Sequence, residues 1–314
     1  VGARHVLAAV TNGGAVILGH RGEQHLPGGV AARVQRQLTP EPERELPADP
    51  VEWLRDELDE FAWSGQRRIL RSATVNRLTA VQSCHGVGKS YIAARLAAWW
   101  IAAHPIGEAM VVTTAPSGHQ VRAILWKEIR RAHARAGLPG TITAGAVPEW
   151  KIDGEIVAFG RKSMDRADKD EAMTAFQGIH ARYLLVLIDE AAGVPEWLWD
   201  AVLALATNEN SRIVAIGNPS DPTSRFAKVC APGTDWHTIT IGYQDTPNFS
   251  GESVPEQLRE ELIGPMYVDQ ARSEWGEDSP LWTARVLGLF PDVADDVVIT
   301  PRMILAAQLR AVKP

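Results

Sequence analysis

The chain has 314 residues, 45% of them hydrophobic and 22% charged, with 32 basic against 38 acidic side chains. That is ordinary globular usage, enough for two domains or one large α/β domain with additions, and it excludes a fibre or a disordered tail. The net charge of −6 argues against a uniformly basic nucleic-acid clamp though not against a local basic strip, and the two cysteines, Cys84 and Cys230, exclude a disulfide framework.

Residues 1–48, with Gly-Gly at 13–14 and 28–29 and prolines at 40, 42 and 47, read as a poorly structured leader without chemistry. From Asp49 the pattern changes. Trp53, Leu54, Leu58 and Phe61 fall at helical spacing. Residues 78–81 read as a strand, 89–104 as a helix and 110–113 as a strand. A helix over about 117–136 follows, with Val121, Ile124, Leu125 and Ile129 on one face. Asp153-Gly154 between two strand-like runs predicts a hairpin. Residues 184–188 and 212–216 are continuous apolar runs, as in strands buried on both faces, and 237–241 is a further strand. Such alternation predicts a mostly parallel sheet between helices, occupying 49–245, with a smaller helical subdomain over 246–314. No apolar stretch approaches the ~20 residues that span a bilayer, so no membrane association is expected.

Ser83-Cys84-His85-Gly86-Val87-Gly88-Lys89-Ser90 lies between a predicted strand and a predicted helix, where a phosphate loop belongs. Backbone amides in such a turn converge on an anion, and the helix start adds partial positive charge. Gly86 and Gly88 permit close approach, Lys89 reaches the β- and γ-phosphates, and the Ser90 hydroxyl ligates Mg²⁺. Ser83 stands where the strict pattern has glycine, and Cys84 and His85 are read as filler contributing backbone amides. Asp189-Glu190 ends the buried strand at 184–188 and reaches the same sheet edge; Asp189 suits Mg²⁺ and Glu190 the general base. Asn218 follows another buried strand and suits a γ-phosphate or water contact, a turn-forming Asn-Pro being the alternative. Upstream, Gln66 matches an adenine edge, with Trp63 or Phe61 on the ring; a surface glutamine on an amphipathic helix is the alternative.

These stretches, together with Val112–Ser117, Phe176–Arg182, Gly217-Asn218-Pro219, Asp245–Asn248, Trp275–Pro280 and Gly288–Pro291, resemble the ATPase portion of a tailed-bacteriophage terminase large subunit. The resemblance runs from about residue 50 to 314 and implies a RecA-like, additional-strand, catalytic-glutamate P-loop ATPase with a linker or lid subdomain. It implies ATP and Mg²⁺, with Gln66 in the adenine-contacting segment, Lys89 and Ser90 on phosphate and metal, Asp189 on metal, Glu190 as base and Asn218 in a coupling motif. It further implies a motor for double-stranded DNA, a homo-oligomeric ring on a portal protein, a small subunit as partner, and a place in the host-cell cytoplasm at the procapsid. The nuclease domain of full-length members is expected to be absent. Arg182 and Arg225 are arginine-finger candidates by location, with an ion pair as the alternative for each; Arg161, Lys162 and Arg166 are candidates for DNA contact. Another P-loop DNA translocase or helicase, or a nucleotide-binding scaffold for portal assembly without turnover, are the rival readings.

Overall fold

In a computed structural model of the chain, residues 7–11, 14–19, 22–25, 48–143, 145, 147–162 and 180–292 are described. The chain divides into two compact units, Val1–Leu46 and Pro47–Pro314. In the first, strands β1 (Leu7–Thr11), β2 (Gly14–Gly19) and β3 (Gly22–His25) pair antiparallel, with Thr11 opposite Gly14 and Gly19 opposite Gly22. This meander corrects the expectation of a poorly structured leader. Asn12-Gly13 between two strand-like runs is a strong two-residue hairpin signal that the glycine content obscured.

The second unit opens with α1 (Pro50–Leu58), whose first amides are capped by the Asp49 carboxylate at 2.7 Å from Val51 N. Asp59, with φ 48°, ends the helix in a left-handed turn, so Phe61 lies beyond it rather than on its apolar face. Helix α2 (Ser64–Val75) leads to β4 (Leu78–Ser83), and the phosphate-loop segment to α3 (Lys89–Ala102). Strand β5 (Ala109–Ala115) is followed by a π-helical segment (Gln120–Leu125) that runs into α4 (Trp126–Arg135). The wider π turn shifts the helical phase: Val121, Leu125 and Ile129 are buried as expected, but Ile124 rotates out to 41% exposure.

Strands β6 (Thr141–Ile142), β7 (Glu149–Ile152) and β8 (Glu155–Lys162) come next, the β7–β8 hairpin turning at Asp153-Gly154 with φ of 50° and 89°. Then follow β9 (Tyr183–Asp189), α5 (Glu196–Leu205), β10 (Arg212–Gly217), α6 (Arg225–Cys230) and β11 (His237–Ile241). Short helices α7 (Pro247–Ser250) and α8 (Glu256–Glu261), then α9 (Pro265–Trp275) and α10 (Pro280–Arg285), complete the described chain.

The large sheet has the order β11-β4-β10-β9-β5-β8-β7-β6. Its first six strands are parallel and the β8–β7 and β7–β6 pairs antiparallel. Strand β10 sits between β4, which feeds the loop, and β9, which ends in Asp189; this is the additional-strand arrangement. Both faces are apolar. Val81, Leu185, Leu187, Val214 and Ile216 pack with residues of α1 to α4, while Ala80, Val186, Ile188, Ile213 and Ala215 pack with α5 and α6. Parallel pairing then carries Ser83, Asp189 and Gly217 to one carboxyl edge. No helix among the described residues is long and apolar enough to cross a membrane.

Candidate functional site

At that edge, Gly86 and Gly88 adopt φ of 65° and 78°, a region open to glycine at no steric cost. A side chain at Gly86 would meet Ile263 N at 3.0 Å, and one at Gly88 would meet Gln66 Nε2 at 2.6 Å. The turn lines a pocket of about 340 Å³ together with Lys89, Ser90, Glu190 and Asn218. Lys89 and Ser90 open α3, so their amides have no acceptor within the helix and are available to an anion.

The side chains converge. Lys89 Nζ donates to Cys84 O at 3.1 Å and to Asn218 Oδ1 at 3.3 Å, and Asn218 Nδ2 donates to Ser83 O at 2.7 Å. Ser90 Oγ donates to Asp189 Oδ2 at 2.8 Å, while Asp189 Oδ1 accepts from Glu190 N at 3.1 Å. Burial lowers the Lys89 pKa, with Glu190 and Asp189 opposing the shift. Burial, reinforced by the Glu190 charge, raises Asp189 to about 6. Glu190 itself is held at φ 49°, ψ 48°, a left-handed conformation that turns the chain sharply after β9. Gly217 makes room for that turn: a Cβ there would lie 2.9 Å from Ala191 N.

Sequence reasoning assigned Cys84 and His85 to the anion cradle as amide donors, and the structure corrects this. Cys84 N donates to Ile241 O at 2.9 Å and His85 N to Arg285 O at 2.9 Å, while Gly86 O accepts from Ile263 N at 2.8 Å. The first half of the loop is thus bonded to β11 and the helical segment, which leaves the cradle to the residues from Gly86 onward. The Cys84 thiol is buried, which pushes its pKa up to about 12, so it is no nucleophile. Gln66 is buried rather than a surface residue; its Nε2 donates to Val87 O at 3.3 Å and its Oε1 accepts from Trp63 N at 3.4 Å. Trp63 is fully buried, leaving Phe61 as the aromatic on that side that reaches a cavity.

A family model for the AAA domain matches residues 62–230, just over half of the chain. The chain belongs to the AAA domain family. It is a P-loop ATPase domain by family and by strand order. The chain is 25% identical over 241 residues to the probable terminase large subunit of Enterobacteria phage P7, covering 75% of this chain and 47% of that one. The chain thus spans about half the length of the curated relative it matches. Among solved structures it resembles the large terminase ATPase domain of Thermus phage P74-26 (TM-score 0.55, 16% identity, 77% of this chain and 99% of that one). It also resembles the large terminase of a thermophilic bacteriophage in complex with ADP (0.50, 14%, 73% and 53%) and that of bacteriophage HK97 (0.50, 13%, 77% and 55%). The fold of this AAA domain is that of large-terminase ATPase domains.

The remaining candidates lie apart from the cradle. Arg182 precedes β9 and pairs with Glu108 at 3.1 Å, at the opposite sheet edge, roughly 23 Å along the strand from Asp189 at ~3.3 Å per residue. Arg225 opens α6 on the cradle side and pairs with Glu196 at 2.9 Å. Both therefore form the ion pairs that were the alternative for them. Arg161 lies one residue before the end of β8, beside Thr114, its guanidinium 5.5 Å from the Phe159 ring. Arg166 and the stretch 176–179 lie outside the described residues, as does the side chain of Lys162.

A second cavity, about 1090 Å³, shares Gly88 and Tyr91 with the cradle and is also lined by Gln66, Phe61, Pro255 and Leu258. Its wall contains a network that sequence reasoning missed. Arg95 donates through Nε and Nη2 to both oxygens of Glu60 at 2.8 Å, and through Nη1 to Glu128 at 2.7 Å. Tyr91 OH donates to Glu60 at 2.7 Å. Burial opposes the Arg95 charge, but the bonds to Glu60 and Glu128 outweigh it and raise its pKa. An arginine inside the apolar run of α3 was the available signal.

Proposed function

We propose that the domain hydrolyses ATP as the motor of a phage genome-packaging machine, driving double-stranded DNA into a procapsid. The observation that carries the proposal is the meeting of Lys89, Ser90, Glu190 and Asn218 around one pocket at the carboxyl edge of an additional-strand sheet, with Asp189 bonded to Ser90 beneath it. Lys89 lines the pocket, and Glu190 and Asp189 support its charge against burial, which fits it to β- and γ-phosphate oxygens. The oxygen donors Ser90 Oγ and Asp189 Oδ2, 2.8 Å apart, fit a hard cation that keeps several waters. No group of three or more His, Cys, Asp or Glu among the described residues offers another metal site. Mg²⁺ held by Ser90 and Asp189 would neutralise charge on the phosphates. Glu190, turned into the pocket by its left-handed backbone, orients the attacking water and accepts its proton. Asn218 bridges Lys89 to the Ser83 carbonyl and so couples the state of the γ-phosphate to β10 and the loop.

The bonds from Cys84, His85 and Gly86 to Ile241, Arg285 and Ile263 support a direct mechanical route from the loop to residues 246–290. Arg161, Lys162 and Arg166 are the candidates for DNA contact in this reading. The working assembly is a homo-oligomeric ring on a portal protein, with a small subunit as partner, in the host-cell cytoplasm. Steady-state ATPase of the 314-residue chain, with and without double-stranded DNA over a salt series, tests the proposal. A DNA-stimulated rate that falls steeply with salt is expected. Glu190→Gln should retain nucleotide binding and lose on the order of 10²–10⁴-fold in turnover. No hydrolysis by the parent would refute an ATPase, and equal rates with and without DNA would refute the motor.

A further inference from the structure

A triphosphate seated in the cradle must extend its nucleoside past Gly88, and the cavity of about 1090 Å³ shares that glycine and Tyr91 with the cradle. Tyr91 is fixed there from two sides. Its hydroxyl is bonded to Glu60, and the Arg95 guanidinium carbon lies 3.7 Å from its ring centroid, covering one face. Arg95 is in turn locked by Glu60 and Glu128, and Glu128 also accepts from Arg131 at 2.6 Å. Every carboxylate oxygen of Glu60 and Glu128 thus already has a donor. The Gln66 amide bonds Val87 O through one N–H and Trp63 N through its oxygen, and keeps a second N–H. What the wall does offer a planar ligand is a rigid aromatic surface backed by a cation. Across the cavity stand Pro255, Leu258 and Leu262.

We infer that Tyr91, set by the Glu60–Arg95–Glu128 network, is the residue on which the nucleobase stacks. This rests on the nucleotide-site reading above and names the group that holds the organic half of that ligand. Stacking on an aromatic side chain contributes about tenfold or more to affinity. The test compares ADP with inorganic tripolyphosphate, which fills the cradle but carries no base. Both are titrated calorimetrically in Mg²⁺ buffer against the 314-residue chain and its Tyr91→Ala and Tyr91→Phe variants. Tyr91→Ala should weaken ADP about tenfold and leave tripolyphosphate unchanged, which also reports that the variant is folded. Tyr91→Phe keeps the ring, loses only the bond to Glu60, and should bind ADP like the parent. Equal weakening of ADP and tripolyphosphate by Tyr91→Ala, or a Phe variant as weak as the Ala variant, would overturn the stacking role. A parent chain that binds tripolyphosphate but not ADP would overturn it as well, whereas one that binds neither refutes the phosphate site itself.

Discussion

Gly217→Ala should slow the proposed hydrolysis without touching a group that contacts nucleotide. Gly217 ends β10, and a methyl added there would lie 2.9 Å from Ala191 N and 3.4 Å from Phe226 Cε1. Phe226 can accommodate that contact, but Ala191 is main chain in the turn that begins at Glu190, so the turn must open by about 0.5 Å to restore van der Waals distance. A misplacement of ~1 Å at a reacting group costs on the order of 10²-fold in rate, so half of it corresponds to about tenfold in kcat. Overpacking costs about 1–3 kcal/mol, offset by the 0.5–1 kcal/mol that alanine gains over glycine within a strand, leaving a net loss of up to about 2.5 kcal/mol. Steady-state ATPase, ADP calorimetry and urea unfolding separate the effects. We expect kcat down about tenfold, ADP affinity unchanged and a modest shift in the urea midpoint. A parent-like kcat beside the expected stability loss would refute the claim that Gly217 sets Glu190, and so would ADP affinity falling in step with kcat.

Two further outcomes follow from buried charge. Arg95→Met strips the partner from Glu60 and Glu128 and should destabilise the domain by about 3–5 kcal/mol in urea unfolding; a loss below about 1 kcal/mol would mean that the acids reach water. His85 is depressed to about 4 by burial, then by the charges of Lys89 and Arg285, and Tyr267 OH is 3.5 Å from its Nδ1. The unfolded chain therefore binds a proton more readily than the folded one between pH 6.5 and about 4, and stability falls as pH drops through that window. From pH 7.5 to 5 the loss from this half-buried group, discounted for solvent screening, is on the order of 1 kcal/mol, and His85→Gln should remove it; an unchanged pH slope in the variant would contradict the burial argument.

The parallel core was legible because its strands are unbroken apolar runs, and β9 and β10 lie where residues 184–188 and 212–216 announced them. Asp153-Gly154 likewise carried its hairpin, since a turn needing positive φ at both residues selects that pair. The meeting of Ser90 with Asp189 followed from sheet logic alone. What escaped was either nonlocal or made of backbone. Glu60, Arg95 and Glu128 come from three separate segments, and no spacing relates them. The amides of Cys84 and His85 are satisfied by carbonyl oxygens, which every residue has, so no side chain marks the partner. The π turn at 120–125 left no mark either, because its residues are ordinary helix formers.

The turn that would grip phosphate is completed by Ile241 and Arg285, encoded far downstream of it. A ribosome must therefore have released Arg285 before Cys84 and His85 find their acceptors. Competence for nucleotide therefore waits on the segment around Arg285, and a nascent chain halted before it carries an unfinished turn.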